Sequence, residues 1–212
     1  MNEVHPRRRQ DYPLADATSA SMVSCLMIDA SLLLPERPRP LKRAEYDRLV
    51  ALGAFEDERI ELLHGVLVDM SPNDPGHVSP IDRLNMILAP ALLGRAIVRV
   101  QSPIVAHDES EPEPDVAVVP LGDYRQQHPA FALLVIEVAL SSLNKDRKVK
   151  APLYAATGFP EYWIVNVAEK AIEVHLAPRG GIYSRVTRHT AGDVLRPEAL
   201  PDVAVKVTDV FA

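Results

Sequence analysis

The sequence predicts an α/β (α+β) domain, a central mixed β-sheet flanked by helices, over residues 41–212. Three observations carry this expectation. Apolar residues recur at helical spacing in three segments, runs of strand length rich in Val and Ile lie between them, and Gly, Pro, Asn or Asp marks most junctions. At 212 residues, 47% hydrophobic and 25% charged, the chain has the composition of a globular protein long enough for one sizeable core. There is no internal repeat and no second-domain boundary.

Taken in order, Leu41, Ala44, Tyr46, Leu49, Val50 and Leu52 space out an amphipathic helix that Gly53 stops. Residues 59–70 read as two strands joined at His64 and Gly65, and a Ser-Pro-Asn-Asp-Pro-Gly loop follows. A second helix runs from His77 to about Leu93, with Pro80 tolerable in its first turn and Pro90 kinking its last. Residues 96–100 and 104–106 read as strands, then one that opens at Asp115, then a buried strand over 131–138. A third helix spans 145–157 and ends at Gly158 with Pro160 beyond it, and Pro152 within it predicts a bend or a late start. A strand over 161–166 follows, then a hairpin of 171–177 and 183–189 around Gly180 and Gly181, and a short closing strand over 203–207.

Ahead of the domain, residues 1–40 read as a flexible extension ending in the Pro-rich linker PERPRP at 35–40. Arg7, Arg8 and Arg9 precede a fairly apolar stretch, but Asp16 and Asp29 interrupt any secretory pattern, and Met22 and Met27 stand as alternative starts. No run approaches the roughly 18 apolar residues of a membrane span. The single Cys25 leaves no internal disulfide and no cysteine zinc cage, so a reducing compartment, the cytoplasm, is expected. A net charge of -6 argues against a generally basic nucleic-acid-coating protein while allowing a local basic cleft.

Chemistry concentrates in three residues. Glu137 interrupts an otherwise apolar strand, where an unpaired charge is costly and must be neutralised, paired or bound to a metal. Asp115 stands at the head of its own strand, held extended by Pro112 and Pro114. Two acids on neighbouring strand ends can share a hard cation such as Mg²⁺ or Mn²⁺. On the following helix, Asp146, Lys150 and Tyr154 fall four residues apart on one face, so Lys150 can point back at the sheet. Lys145 and Lys148 fall on other faces, with Lys145 a rival by proximity. Taken singly, Asp115 reads as a strand-end cap, Glu137 as a salt-bridged edge acid and Lys150 as a solvated lysine; only the constellation points to a site.

As an ordered set, RIELLHGVLVDMSP (59–72), Gly76-His77, EPEPDVAVVP (111–120), LLVIEV (133–138), SSLNKDRKVKAPLYAATGFPEYWIVN (141–166) and VTDVFA (207–212) resemble the Uma-type endonuclease family. That family is part of the PD-(D/E)XK superfamily. The resemblance covers about residues 41–212. It implies a restriction-endonuclease-like core, with Asp115 and Glu137 as ligands of Mg²⁺ or Mn²⁺, Glu61 as a further acid near the metal and Lys150 completing the catalytic set. The superfamily's usual lysine, two residues after the second acid, is here Ala139, and the family pattern moves it to the next helix. Leu140 is a second departure, where relatives commonly carry a polar or acidic residue.

The implied activity is metal-dependent hydrolysis of phosphodiester bonds in nucleic acid, DNA before RNA: the cation polarises the phosphate and acidifies a water, and Lys150 assists the attack. Two readings of Glu61 stand side by side, a ligand-shell residue or a strand acid paired with an arginine such as Arg59. His77, at a helix start after a Pro-Gly turn, reads as structural and stays outside the catalytic core; Tyr162 and Trp163 read as core. No Ser-hydrolase elbow, phosphate loop, dinucleotide fingerprint or zinc-protease motif competes. The alternative is a catalytically silent nuclease fold that binds nucleic acid or a protein, and a homodimer through the C-terminal hairpin is compatible with either.

Overall fold

The computed structural model describes residues 33, 35–70 and 74–212. The expected extension and linker over 1–40 lie outside the described residues except at 33 and 35–40, as do Ser71, Pro72 and Asn73 of the loop after the first hairpin. Arg39–Ala212 form one compact unit. Within it, α1 (Arg43–Ala51) precedes the hairpin of β1 (Ile60–Leu63) and β2 (Val66–Asp69). The Glu45 carboxylate accepts the Lys42 amide at 2.9 Å and so closes the start of α1. In α2 (Pro75–Ala91) the Asp74 side chain caps the Gly76 amide at 2.7 Å, and Pro75 occupies a first-turn position that needs no donor.

Next come β3 (Ala96–Val100), β4 (Val116–Pro120) and β5 (Leu134–Ala139). A continuous helical segment follows: α3 (Leu143–Lys145), a π-helical turn over Asp146–Lys150, and α4 (Ala151–Thr157), which ends at left-handed Gly158. The chain closes with β6 (Glu161–Asn166), β7 (Ala171–Arg179), β8 (Ile182–His189), the two-residue strands β9 (Val194–Leu195) and β10 (Val205–Lys206), and α5 (Val207–Val210).

Six strands form one sheet in the order β3-β4-β5-β6-β7-β8, antiparallel throughout except for the parallel pair β5-β6. Parallel neighbours need a crossover, and the helical segment from Leu143 to Thr157 supplies it. Strand alternation then divides the core. Val116, Val118, Leu134, Ile136, Val138, Trp163 and Val165 pack beneath Ile81, Leu84 and Leu88 of α2. Ala117, Val119, Val135, Ala139, Tyr162 and Ile164 pack beneath Ala151, Tyr154 and Ala155 of α4. Trp163 and Tyr162 are thus core residues, as their setting in the sequence suggests.

Three local expectations need correction. Residues 104–106 form no strand: Ile104 donates to the Pro112 carbonyl at 3.0 Å, but Pro112 has no N–H to return the bond, so no ladder starts. The third helix opens at Leu143, and it does not run as regular α-helix into Pro152. Instead the Ala151 amide reaches back five residues to the Asp146 carbonyl, and the wider turn restarts the helix so that Pro152 lies in the first turn of α4. The closing strand is only Val205–Lys206, paired with the unforeseen β9, before α5 begins.

The β1-β2 hairpin lies outside the main sheet and is tied to it through the acidic loop. Leu62 and Glu111 exchange backbone hydrogen bonds at 3.3 and 2.8 Å, which sets Glu61 beside the approach to β4. The Glu111 side chain is 5% exposed, with Arg43 and His128 both 3.8 Å away. Burial, reinforced by Asp47, raises its pKa to about 7. The folded chain therefore keeps a proton that the unfolded chain releases near pH 4.5, so the stabilisation is complete below that pH and is lost as pH rises through 7. We expect Glu111→Gln to leave stability at pH 4 nearly unchanged and to raise it at pH 8 by about 1–2 kcal/mol, measured by urea unfolding. Equal effects at both pH values would refute this.

Candidate functional site

Because β4 and β5 pair Val116 with Ile136 and Ala117 with Val135, extending the register by one residue sets Asp115 opposite Glu137. Both carboxylates fall on the α4 side of the sheet, at the rim of a cleft of about 220 Å³ that Asp74, His77, Glu113, Ser142, Lys145, Asp146 and Lys150 also line. Asp115 Oδ2 accepts the Val138 amide at 2.7 Å and lies 3.2 Å from His77 Nε2. That contact, chiefly through its hydrogen bond, raises the His77 pKa.

Lys150 is 2% exposed and carries the ion pairing beneath the cleft. Its Nζ lies 2.9 Å from Glu137 Oε1 and 2.9 Å from Glu61 Oε2. Tyr154 donates to the same Glu137 Oε1 at 2.7 Å. Lys145 Nζ reaches the other oxygen of Glu61 at 3.0 Å, and the Glu113 amide donates to Glu61 Oε2 at 3.3 Å. Asp146, also buried, takes the Ser142 hydroxyl at 2.6 Å.

Burial sets the electrostatics. It pushes the Glu137 carboxyl up, Lys150 opposes it, and Asp115, Asp146 and Glu61 add to it. Burial would also raise Glu61, but two lysines outweigh it and hold that carboxyl below its ordinary range. The two acids share Lys150 yet shift oppositely, because Glu61 has a second lysine and Glu137 faces other acids. For Lys150, burial acts downward and the two glutamates more than reverse it, so the ammonium stays charged. Asp146 is raised by burial.

Four buried acids, Glu61, Asp115, Glu137 and Asp146, thus share two lysines, with His77 beside Asp115. All the acid donors are hard oxygens. Among the described residues, no three His, Cys, Asp or Glu side chains converge as a complete metal cage. The pair Asp115 and Glu137 fits a Mg²⁺-type ion, which binds through one or two carboxylates and keeps water or phosphate in its other positions.

The profile of the family described as "Uma2: Putative restriction endonuclease" matches residues 43–208. The chain belongs to the Uma2 family. Its fold is similar to that of a crystal structure from Anabaena variabilis ATCC 29413, described as "a putative nuclease belonging to DUF820". The two share 13% identity, with 81% of this chain and 98% of the other covered at a TM-score of 0.62. No curated protein matches the chain. The mixed sheet and its flanking helices are therefore a nuclease-type fold, as the resemblance implied. No helix among the described residues is long and apolar enough to cross a membrane.

Of the residues singled out in this Uma2 sequence, Asp115, Glu137 and Lys150 line the cleft together, whereas Glu61 lies behind it with its side chain fully buried. Glu61 pairs with lysines, and Arg59 approaches Glu113 instead at 3.5 Å. Four-residue spacing sets Lys145 on another helix face; the π turn brings it onto Glu61. His77, structural by its sequence setting, touches Asp115, and its place in the Gly-His pair after Asp74-Pro75 is the one signal of this in the sequence. Removing Lys150 leaves two buried carboxylates with one cation fewer, so Lys150→Met should cost about 3–5 kcal/mol of stability. Tyr154→Phe should cost about 1 kcal/mol. Chemical denaturation checks both, and a Lys150→Met protein as stable as wild type would contradict the arrangement.

Proposed function

We propose that the chain is a divalent-metal-dependent nuclease that hydrolyses phosphodiester bonds, with DNA preferred over RNA, and that residues 41–212 are its nuclease domain. The observation that carries the reading is the pairing of Asp115 and Glu137 across adjacent strands at one cleft, with charged Lys150 2.9 Å from Glu137. The family description, "Putative restriction endonuclease", supports DNA as the substrate.

Asp115 and Glu137 would hold Mg²⁺ or Mn²⁺, which supplies Lewis-acid polarisation of the phosphate and a water acidified toward neutrality. The rest of the work falls to the protein's own side chains. Val138 N–H and His77 fix the rotamer of Asp115, and Tyr154 and Lys150 fix that of Glu137. Lys150 is oriented before any substrate arrives, so its charge can stabilise the negative charge that develops at phosphorus without reorganisation. Glu61, with no place in the cleft lining, acts as the anchor of Lys150 and not as a metal ligand.

Labelled single-stranded and duplex DNA and RNA, incubated with Mg²⁺ or Mn²⁺, should be cleaved by wild type, and cleavage of DNA should exceed that of RNA. Asp115→Asn, Glu137→Gln and Lys150→Met should each lose at least about 100-fold in rate while remaining folded by circular dichroism. Cleavage surviving in all three would dismiss this site. No cleavage by wild type with either metal would favour the silent binding module, a reading to which the net charge of -6 and the partly exposed Leu140 at the cleft also lean.

A further inference from the structure

Two lysines share one carboxylate at this site, and their surroundings differ sharply. Lys150 is 2% exposed and bound to two carboxylates. Lys145 is 31% exposed, lines the cleft and, among the described residues, is ion-paired with Glu61 alone. For Lys150 to reach outward, Glu137 and Glu61 would each lose a cation in a buried setting, which is expensive. Lys145 has no such tie. If it turns to an incoming anion, Glu61 keeps Lys150 and the Glu113 amide.

The backbone explains why the two are side by side. Residues five apart on an α-helix do not face one another; only those three or four apart do. Lys145 and Lys150 are brought together by the π turn over Asp146–Lys150, whose hydrogen bonds run five residues back. Turns of this kind gather at functional sites, and here the wide turn has a geometric product: both ammonium groups reach Glu61, at 3.0 and 2.9 Å.

We propose that Lys145 is the substrate-contacting cation of the site: it exchanges its Glu61 bond for a phosphate oxygen of the nucleic-acid strand next to the scissile bond, while Lys150 stays in place. This rests on the nuclease reading above and assigns the phosphate contact within it. A contact of this kind strengthens binding through charge and counterion release, so it is salt-sensitive and indifferent to base sequence.

The test compares wild type, Lys145→Ala, Lys145→Arg and Lys150→Met by fluorescence anisotropy on a labelled oligonucleotide, in Ca²⁺ and over a range of NaCl concentrations. Steady-state cleavage in Mg²⁺ runs alongside. Lys145→Ala should bind about tenfold more weakly, with a salt slope shallower by about 0.7–0.9. In cleavage it should raise KM with kcat changed less than about twofold, and Lys145→Arg should recover most of both. Lys150→Met should lose kcat. If wild type binds and cleaves but Lys145→Ala keeps its affinity and salt slope, or loses kcat at unchanged KM, the assignment falls and the nuclease reading survives. If wild type neither binds nor cleaves, both fall.

Discussion

The burial of Lys150 between Glu61 and Glu137 is the constraint around which the site is arranged. An ammonium this far from water persists only when its charge is matched by neighbours at contact distance, and here those neighbours come from β1 and β5, far apart in sequence. The hairpin that carries Glu61 lies outside the main sheet and is held by backbone pairs of Leu62 with Glu111 and Gly65 with Glu109, by Leu63 packing on Ala106 and Leu153, and by the two lysine contacts.

The same constraint accounts for the acids. The two lysines are shared unevenly among four buried acids: Glu61 meets both, Glu137 meets Lys150 alone, Asp115 meets His77, and Asp146 takes the Ser142 hydroxyl. Burial pushes the Glu137 and Asp146 carboxyls up and the lysine pair holds Glu61 down, so the site is divided into a charged anchor beneath the cleft and a rim of acids within it. Cation binding would act on the rim. The anchor stays as it is, which keeps Lys150 oriented in either state.

The helix that delivers Lys150 meets two demands at once. Pro152 cannot donate a hydrogen bond, and the π turn ahead of it removes the need for one. That turn also rotates Lys145 onto the Lys150 side. A feature that reads in sequence as a defect, a proline within a helix, thus accompanies the geometry that pairs two cations on one acid.

Much of this was legible in the sequence. The apolar runs place Asp115 and Glu137 at the ends of neighbouring strands, but that the two share a face is decided by the β4-β5 register. Four-residue spacing put Asp146, Lys150 and Tyr154 together, and all three are buried as that spacing suggests. Gly and Pro marked the ends of most elements, since their backbone limits are local. The partners were not legible. Whether Glu61 meets an arginine or a lysine, that His77 reaches Asp115, that Lys145 turns inward and that two residues at Val194–Leu195 find a strand partner all depend on chain segments brought together only by folding. Local periodicity determines which face a side chain occupies; only the packed structure decides which charge it finds there, because a buried charge is settled by its nearest neighbours in space.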